Sequence, residues 1–254
     1  MPNAKDYNPL DHGILCGVAG MSGKGKSSLI ISMTEVGKTA VALTDPTELD
    51  LYGGNDIEYE LFTDPKWQPL ASKFVSGDFQ KLITWLDKTS QRDDIRCIGI
   101  DHGSGGTTSP GVSELAMHDA LEQHKTANPM DLAHGQAYFA HSNNMRYFLD
   151  ACKLAAFRGK HVIVSFLVQL REDETSQSRD ELLLPAVHGS IRQHIAASFS
   201  VWLHAYTIGV QTSTKYLVRA VPSQKQPAKS RLKFKNLQQA TQLPNNLKAI
   251  LGAL

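Results

Sequence analysis

Residues 20–27 read Gly-Met-Ser-Gly-Lys-Gly-Lys-Ser and satisfy the pattern G-x-x-x-x-G-K-[ST] at every constrained position. A short apolar run, 14–19 (ILCGVA), precedes them, and a segment that starts amphipathic, 27–36, follows. The expected local structure is strand, loop, helix. Gly20, Gly23 and Gly25 permit backbone angles that a Cβ forbids, so several N–H groups can converge on one anion. The helix behind the loop points its N-terminus at the same place. Lys26 adds a mobile positive charge for the outer phosphates, and the Ser27 hydroxyl is suited to Mg²⁺. The spacing therefore predicts a polyphosphate cradle made of Gly20, Met21, Ser22, Gly23, Lys24, Gly25, Lys26, Ser27 and Ser28. Lys24 either touches phosphate or faces water, the second being favoured.

A loop of this kind needs a carboxylate on a neighbouring strand to hold the metal, usually through water. Asp101 closes the apolar segment Cys97-Ile98-Gly99-Ile100-Asp101 and is the candidate, with Ser27 as the second metal residue. Hydrolysis also needs a group that orients or deprotonates water. The apolar run 39–44 ends in Asp45-Pro46-Thr47-Glu48, and strand ends of parallel sheets line the ligand crevice. Glu48 is the first choice for that group and Asp45 the second. Gln169 ends the strongest strand signal, 161–170 (HVIVSFLVQL), where its amide could sense the terminal phosphate.

Elsewhere the pattern alternates short apolar runs with helical spacing. Phe79, Leu82, Ile83 and Leu86 predict a helix over 78–90. Residues 131–158 read as one long helix or two shorter ones, with Leu132, Tyr138, Met145, Phe148, Leu149, Cys152 and Ala156 on the buried side. A helix is expected near 190–199 and strands at 200–208 and 215–221. The order implies an α/β fold, a mostly parallel central sheet with helices on both faces. Residues 1–12 read as an extension, and 13–254 as one domain with a basic segment from about 215 to the end.

The net charge of +1 conceals a division. Residues 1–181 carry 17 basic and 25 acidic side chains, whereas 182–254 carry nine basic and no acidic ones. A stretch of that kind fits a polyanionic partner or compensation by the acidic part. No apolar run approaches the roughly 18 residues of a membrane span, and the polar start, MPNAKDYNPLDHG, does not read as a secretory signal. Three cysteines without a CxxC pair read as free thiols, so a cytoplasmic location is expected. Ten histidines occur, but no HExxH and no cysteine at zinc spacing, so no structural metal is expected.

GMSGKGKSS (20–28), CIGID (97–101), HVIVSFLVQ (161–169), LPAVHGSIRQHI (184–195) and PAKSRLKF (227–234) together resemble the RecA-like P-loop ATPases. The resemblance is greatest to phage-type ATP-binding proteins of the single-strand annealing class. It implies ATP and Mg²⁺ as ligands, and a catalytic glutamate at the place of Glu48. It also implies a sensor at Gln169, and a Lys-x-Arg pair, here Lys229 and Arg231, reaching the neighbouring subunit's nucleotide. A homo-oligomer, ring or filament, acting on single-stranded DNA in recombination or annealing would follow, in the host cytoplasm if phage-encoded. The family's DNA-binding loops correspond to 102–111 and 171–184. The second is acidic here, so Tyr216 and Phe234 in the basic tail are the alternative contacts, or simply core. Two other classes remain open: a small-molecule or nucleotide kinase with Arg171, Arg179 and Arg192 as a lid, and a non-catalytic nucleotide-dependent assembly factor.

Overall fold

A computed structural model of the chain describes residues 12–63, 78–105, 110–125, 135–172, 181–209, 213–222, 228–235 and 240–254. The strands are β1 (Leu15–Gly20), β2 (Thr39–Leu43), β3 (Ile57–Leu61), β4 (Cys97–Asp101), β5 (His161–Glu172), β6 (Glu181–Pro185), β7 (Val201–Ile208), β8 (Lys215–Arg219), β9 (Lys229–Ser230) and β10 (Leu243–Pro244). The helices are α1 (Lys26–Ile31), α2 (Leu49–Tyr52), α3 (Asp78–Gln91), α4 (Val112–Gln123), α5 (Gln136–Phe157) and α6 (Leu247–Ala253).

Among the described residues the strands form one sheet in the order β10-β8-β7-β1-β5-β4-β2-β3, with β6 paired to β5 and β9 to β7. The block from β7 to β3 is parallel throughout. The pairings β7–β8, β8–β10, β5–β6 and β7–β9 are antiparallel. Alternation sends Leu15 and Ala19 of β1 to one face, with α3, α4 and α5, and Cys16 and Val18 to the other, with α1 and α6. The fold is thus α/β, with a mostly parallel sheet flanked by helices on both faces. Covering both faces is what makes the central strands read as continuous apolar runs.

Two packing details set the geometry of the loop-bearing end. Trp202 on β7 is fully buried against Phe166 and Phe199, each with its ring centroid 5.2 Å away. Removing such a ring from a core costs about 3–5 kcal/mol. On the opposite face, a Cβ at Gly99 of β4 would lie 2.4 Å from Ile30 Cγ2 of α1. The missing side chain lets α1 settle against the strand that ends in Asp101.

The structure departs from the sequence reading in places. Residues 190–199 are not one helix but two 3₁₀ turns, Ser190–Gln193 and Ile195–Ser198. Ile191 and Ile195 are both buried, which reproduces helical spacing, but the chain breaks between the turns at His194, φ −112°. Tyr138, assigned to the buried side of α5, is 42% exposed, whereas Met145, Phe148, Leu149, Cys152 and Ala156 are buried. Leu132 lies outside the described residues. Helix α4 and strand β3 have no counterpart in the sequence reading. β3 is the sheet edge and exposes Glu58, Tyr59 and Glu60 in a row, so it lacks the apolar run that marks the inner strands. Among the described residues no helix is long and apolar enough to cross a membrane.

Candidate functional site

β1 ends at Gly20 and α1 begins at Lys26, with the glycine-rich turn between them. Gly23 and Gly25 hold φ of 71° and 82°, in the left-handed region that a side chain disfavours. Gly25 occupies the N-cap with no side-chain cap, so the first amides of α1 have no such partner. The turn is also held from behind. Asn245 Nδ2 donates to the Gly25 carbonyl at 2.6 Å, and Lys24 Nζ donates to Thr207 Oγ1 on β7 at 2.9 Å.

The turn forms one wall of a cavity of about 470 Å³. Ser22, Gly23, Gly25, Lys26, Ser27 and Ser28 line it from the loop, Glu48, Asp101 and His102 from the strand ends, and Leu51, Leu167 and Tyr216 around them. Lys26 is only 8% exposed and its ammonium donates to the Met21 carbonyl at 2.9 Å. Burial pushes its pKa below the ordinary lysine value, against the pull of Asp101 and Glu48. Among the described residues that carbonyl is the ammonium's only hydrogen-bond partner, and such a cation can exchange it for an anionic oxygen.

Asp101 is 2% exposed, and both its oxygens are held. Tyr52, at the end of α2, donates from its hydroxyl to Oδ2 at 2.8 Å, and Ser165 on β5 donates to Oδ1. The strand ends are tied together by Thr44, whose amide donates to the Asp101 carbonyl at 2.8 Å and whose hydroxyl accepts from the His102 amide at 2.9 Å. The Asp101–His102 peptide is cis. His102 Nδ1 accepts from the Ser104 amide at 3.1 Å, and burial lowers the ring's pKa.

Glu48 reaches the cavity because a short 3₁₀ turn, Pro46–Glu48, follows β2. Asp45 starts that turn, accepting from the Thr47 amide at 2.9 Å and the Thr47 hydroxyl at 2.7 Å. Asp45 is therefore a capping residue, and Glu48 is the carboxylate that faces the loop. Ser27 Oγ donates to Glu48 Oε2 at 3.4 Å, a long contact. Burial first, then the negative charges of Asp101 and Asp45, push Glu48 up to about 7.

The other expected site residues are distributed as follows. Gly20 and Met21 do not line the cavity, although Met21 supplies the carbonyl for Lys26. Lys24 is engaged with Thr207 instead of facing water. Gln169 does not line the cavity either: it sits one pleat repeat beyond Leu167, opposite Leu184 of β6. The cause is the length of β5, which runs past the end of the parallel block to pair with β6. Lys229 is in β9, opposite Trp202 of β7, and Arg231, just after β9, does not line this cavity. Arg231 is exposed, its Nη2 donating to the Ala197 carbonyl at 2.5 Å. Phe234 packs partly buried into the core on the α1 face. Residues 106–109 and 173–180, and with them most of the second expected DNA loop and Arg179, lie outside the described residues.

Tyr52, Ser165 and His102 join the site without having been singled out. Ser165 carried a usable signal, a single hydroxyl inside the otherwise apolar run 162–168. Among the described residues no three His, Cys, Asp or Glu side chains gather into a metal-binding group. Magnesium on a nucleotide needs no such group. It takes hard oxygen ligands from one or two protein side chains, phosphates and water, and the Ser27 hydroxyl with the Asp101 carboxylate meets that chemistry. A scan against protein-family models gives no match, and a search of curated proteins finds none similar to this chain.

Proposed function

We propose that this chain is a RecA-like P-loop ATPase that binds Mg·ATP in the cavity at residues 20–28 and hydrolyses it. The observation that carries the reading is the meeting of Lys26, Ser27, Glu48 and Asp101 on one cavity, from three separate strand ends. The loop amides and Lys26 would bind the phosphates; Ser27 and, through water, Asp101 would hold magnesium, which would supply positive charge against the leaving phosphoryl group. Glu48 takes the proton of the attacking water. A carboxyl raised to about 7 is matched to that task near neutral pH. Its position after the strand that follows the loop's helix is where the RecA-like resemblance puts the catalytic glutamate.

The acid-free stretch 182–254 supports a polyanionic partner, which we take to be single-stranded DNA. Arg231 does not line its own chain's cavity and donates to the Ala197 carbonyl, which supports a role for the Lys-x-Arg pair in trans, hence a homo-oligomer. The test is ATP hydrolysis measured against protein concentration, with and without single-stranded DNA. Specific activity should rise with concentration, and Lys26→Ala and Arg231→Ala subunits should recover activity when mixed. Phosphate transferred to an acceptor instead of released would favour the kinase reading. Tight nucleotide binding without turnover would favour a non-catalytic assembly factor.

A further inference from the structure

Tyr216 has no task in the chemistry above, and its setting is unusual for a tyrosine on a strand. It lines the cavity, yet its side chain is 46% exposed. Among the described residues it makes no hydrogen bond and no ring stacking contact. Its ring carbon Cδ1 would lie 2.8 Å from a Cβ at Gly25, so the ring rests directly on the backbone of the loop.

The ring is also held in register with that loop. Tyr216 of β8 is directly opposite Thr207 of β7, and opposite residues in an antiparallel pair put their side chains on one face. Thr207 accepts from Lys24 and Tyr216 packs on Gly25, so two neighbouring loop residues are tied to two paired strand residues. Glu48, Asp101 and His102 close or follow β2 and β4, which lie on the other side of β1 in the sheet from β8, and two of the three are 2% exposed. A polyphosphate on the loop would therefore have its attached nucleoside leave on the Tyr216 side.

We propose that Tyr216 is the platform on which the nucleobase of the bound triphosphate stacks, and that it makes the site prefer purine nucleotides over pyrimidine nucleotides and bare polyphosphate. The inference rests on the nucleotide reading of residues 20–28. A flat aromatic ring gains more from a two-ring base than from a one-ring base, and it reads no particular hydrogen-bonding edge. ATP and GTP are then bound alike, and CTP and UTP more weakly.

Calorimetric titration of the full chain with Mg·ATP, Mg·CTP and Mg·tripolyphosphate tests this. The wild type should bind ATP at least tenfold tighter than tripolyphosphate. Tyr216→Ala should lose about tenfold in ATP affinity and leave tripolyphosphate within twofold, while Tyr216→Phe should keep both. Wild-type binding of tripolyphosphate as tight as ATP would overturn the platform and leave the phosphate loop standing. Equal losses for ATP and tripolyphosphate in Tyr216→Ala would also overturn it, because the ring would then serve only to support Gly25. So would loss of oligo(dT) binding with ATP affinity intact, which would make Tyr216 a contact for single strands. Failure of the wild type to bind any of the three would remove the nucleotide reading itself.

Discussion

Replacing Glu48 by Gln removes a carboxyl whose ionisation the fold opposes, and the effect on stability should depend on pH with a definite sign. The group is raised from 4.5 to about 7, by burial and by the neighbouring Asp101 and Asp45. The contribution of a raised carboxyl is fully present below its unfolded value and is lost as pH climbs through its folded value. In the wild type that window is 4.5 to about 7. At 1.36 kcal/mol per unit the full shift would be worth roughly 3 kcal/mol. Glu48 is partly exposed, and solvent screening brings the expected figure to about 1–2 kcal/mol. Urea unfolding, followed by the fluorescence of the three tryptophans in EDTA without nucleotide, reads it directly. Glu48→Gln should gain about 1–2 kcal/mol over the wild type at pH 8 relative to the same comparison at pH 5. The difference between the two proteins matters, since His161 and His204, both lowered to about 4 by burial, pull the pH profile of each protein in the opposite direction. The same substitution should reduce ATP hydrolysis by about 100-fold or more through loss of the base. A pH-independent difference, or a variant less stable at pH 8 than at pH 5 relative to wild type, would refute the placement of Glu48 as a desolvated carboxyl.

Lys26→Ala should abolish measurable hydrolysis and weaken Mg·ATP binding, while leaving the midpoint of urea unfolding nearly unchanged, because the ammonium is buried on a single carbonyl. Tyr52→Phe deletes the hydroxyl that donates to Asp101 Oδ2, so the magnesium concentration for half-maximal hydrolysis should rise several-fold; an unchanged requirement would detach Tyr52 from metal positioning. Gly99→Ala should destabilise the protein by about 1–3 kcal/mol through its clash with Ile30 Cγ2. Adding Ile30→Ala should then cost less than the sum of the two single changes, measured by a double-mutant cycle in urea. Gly25→Ala, at φ 82° and against both Tyr216 and Asn245, should lose nucleotide binding and stability together.

How far the site was legible depends on how each residue is specified. The loop carries its own instructions: left-handed glycines, a lysine and a hydroxyl at fixed offsets form one turn wherever the chain places it. Asp101 and Glu48 were legible because each closes or follows an apolar run, and parallel strands end on one side of the sheet. Glu48 ranked only narrowly ahead of Asp45 in the sequence, since both follow the same strand; in the structure Thr47 engages Asp45, while Glu48 lines the cavity. Gln169 lies off the cavity because β5 runs on to pair with β6, a length that periodicity does not reveal.

The sequence by itself determined the glycine-rich turn, the inner strands and the separation of an acidic part from an acid-free basic one, since spacing and composition are local properties of a chain. The tertiary structure alone decided that β5 lies between β1 and β4, which brings Ser165 to Asp101. It also decided that α2 turns Tyr52 back onto the same carboxylate, and that β8 folds against β7 to set Tyr216 on Gly25. These meetings join residues far apart along the chain. Strand order is settled by which apolar faces cover one another across the whole sheet, and that condition is met only when all the elements are in place.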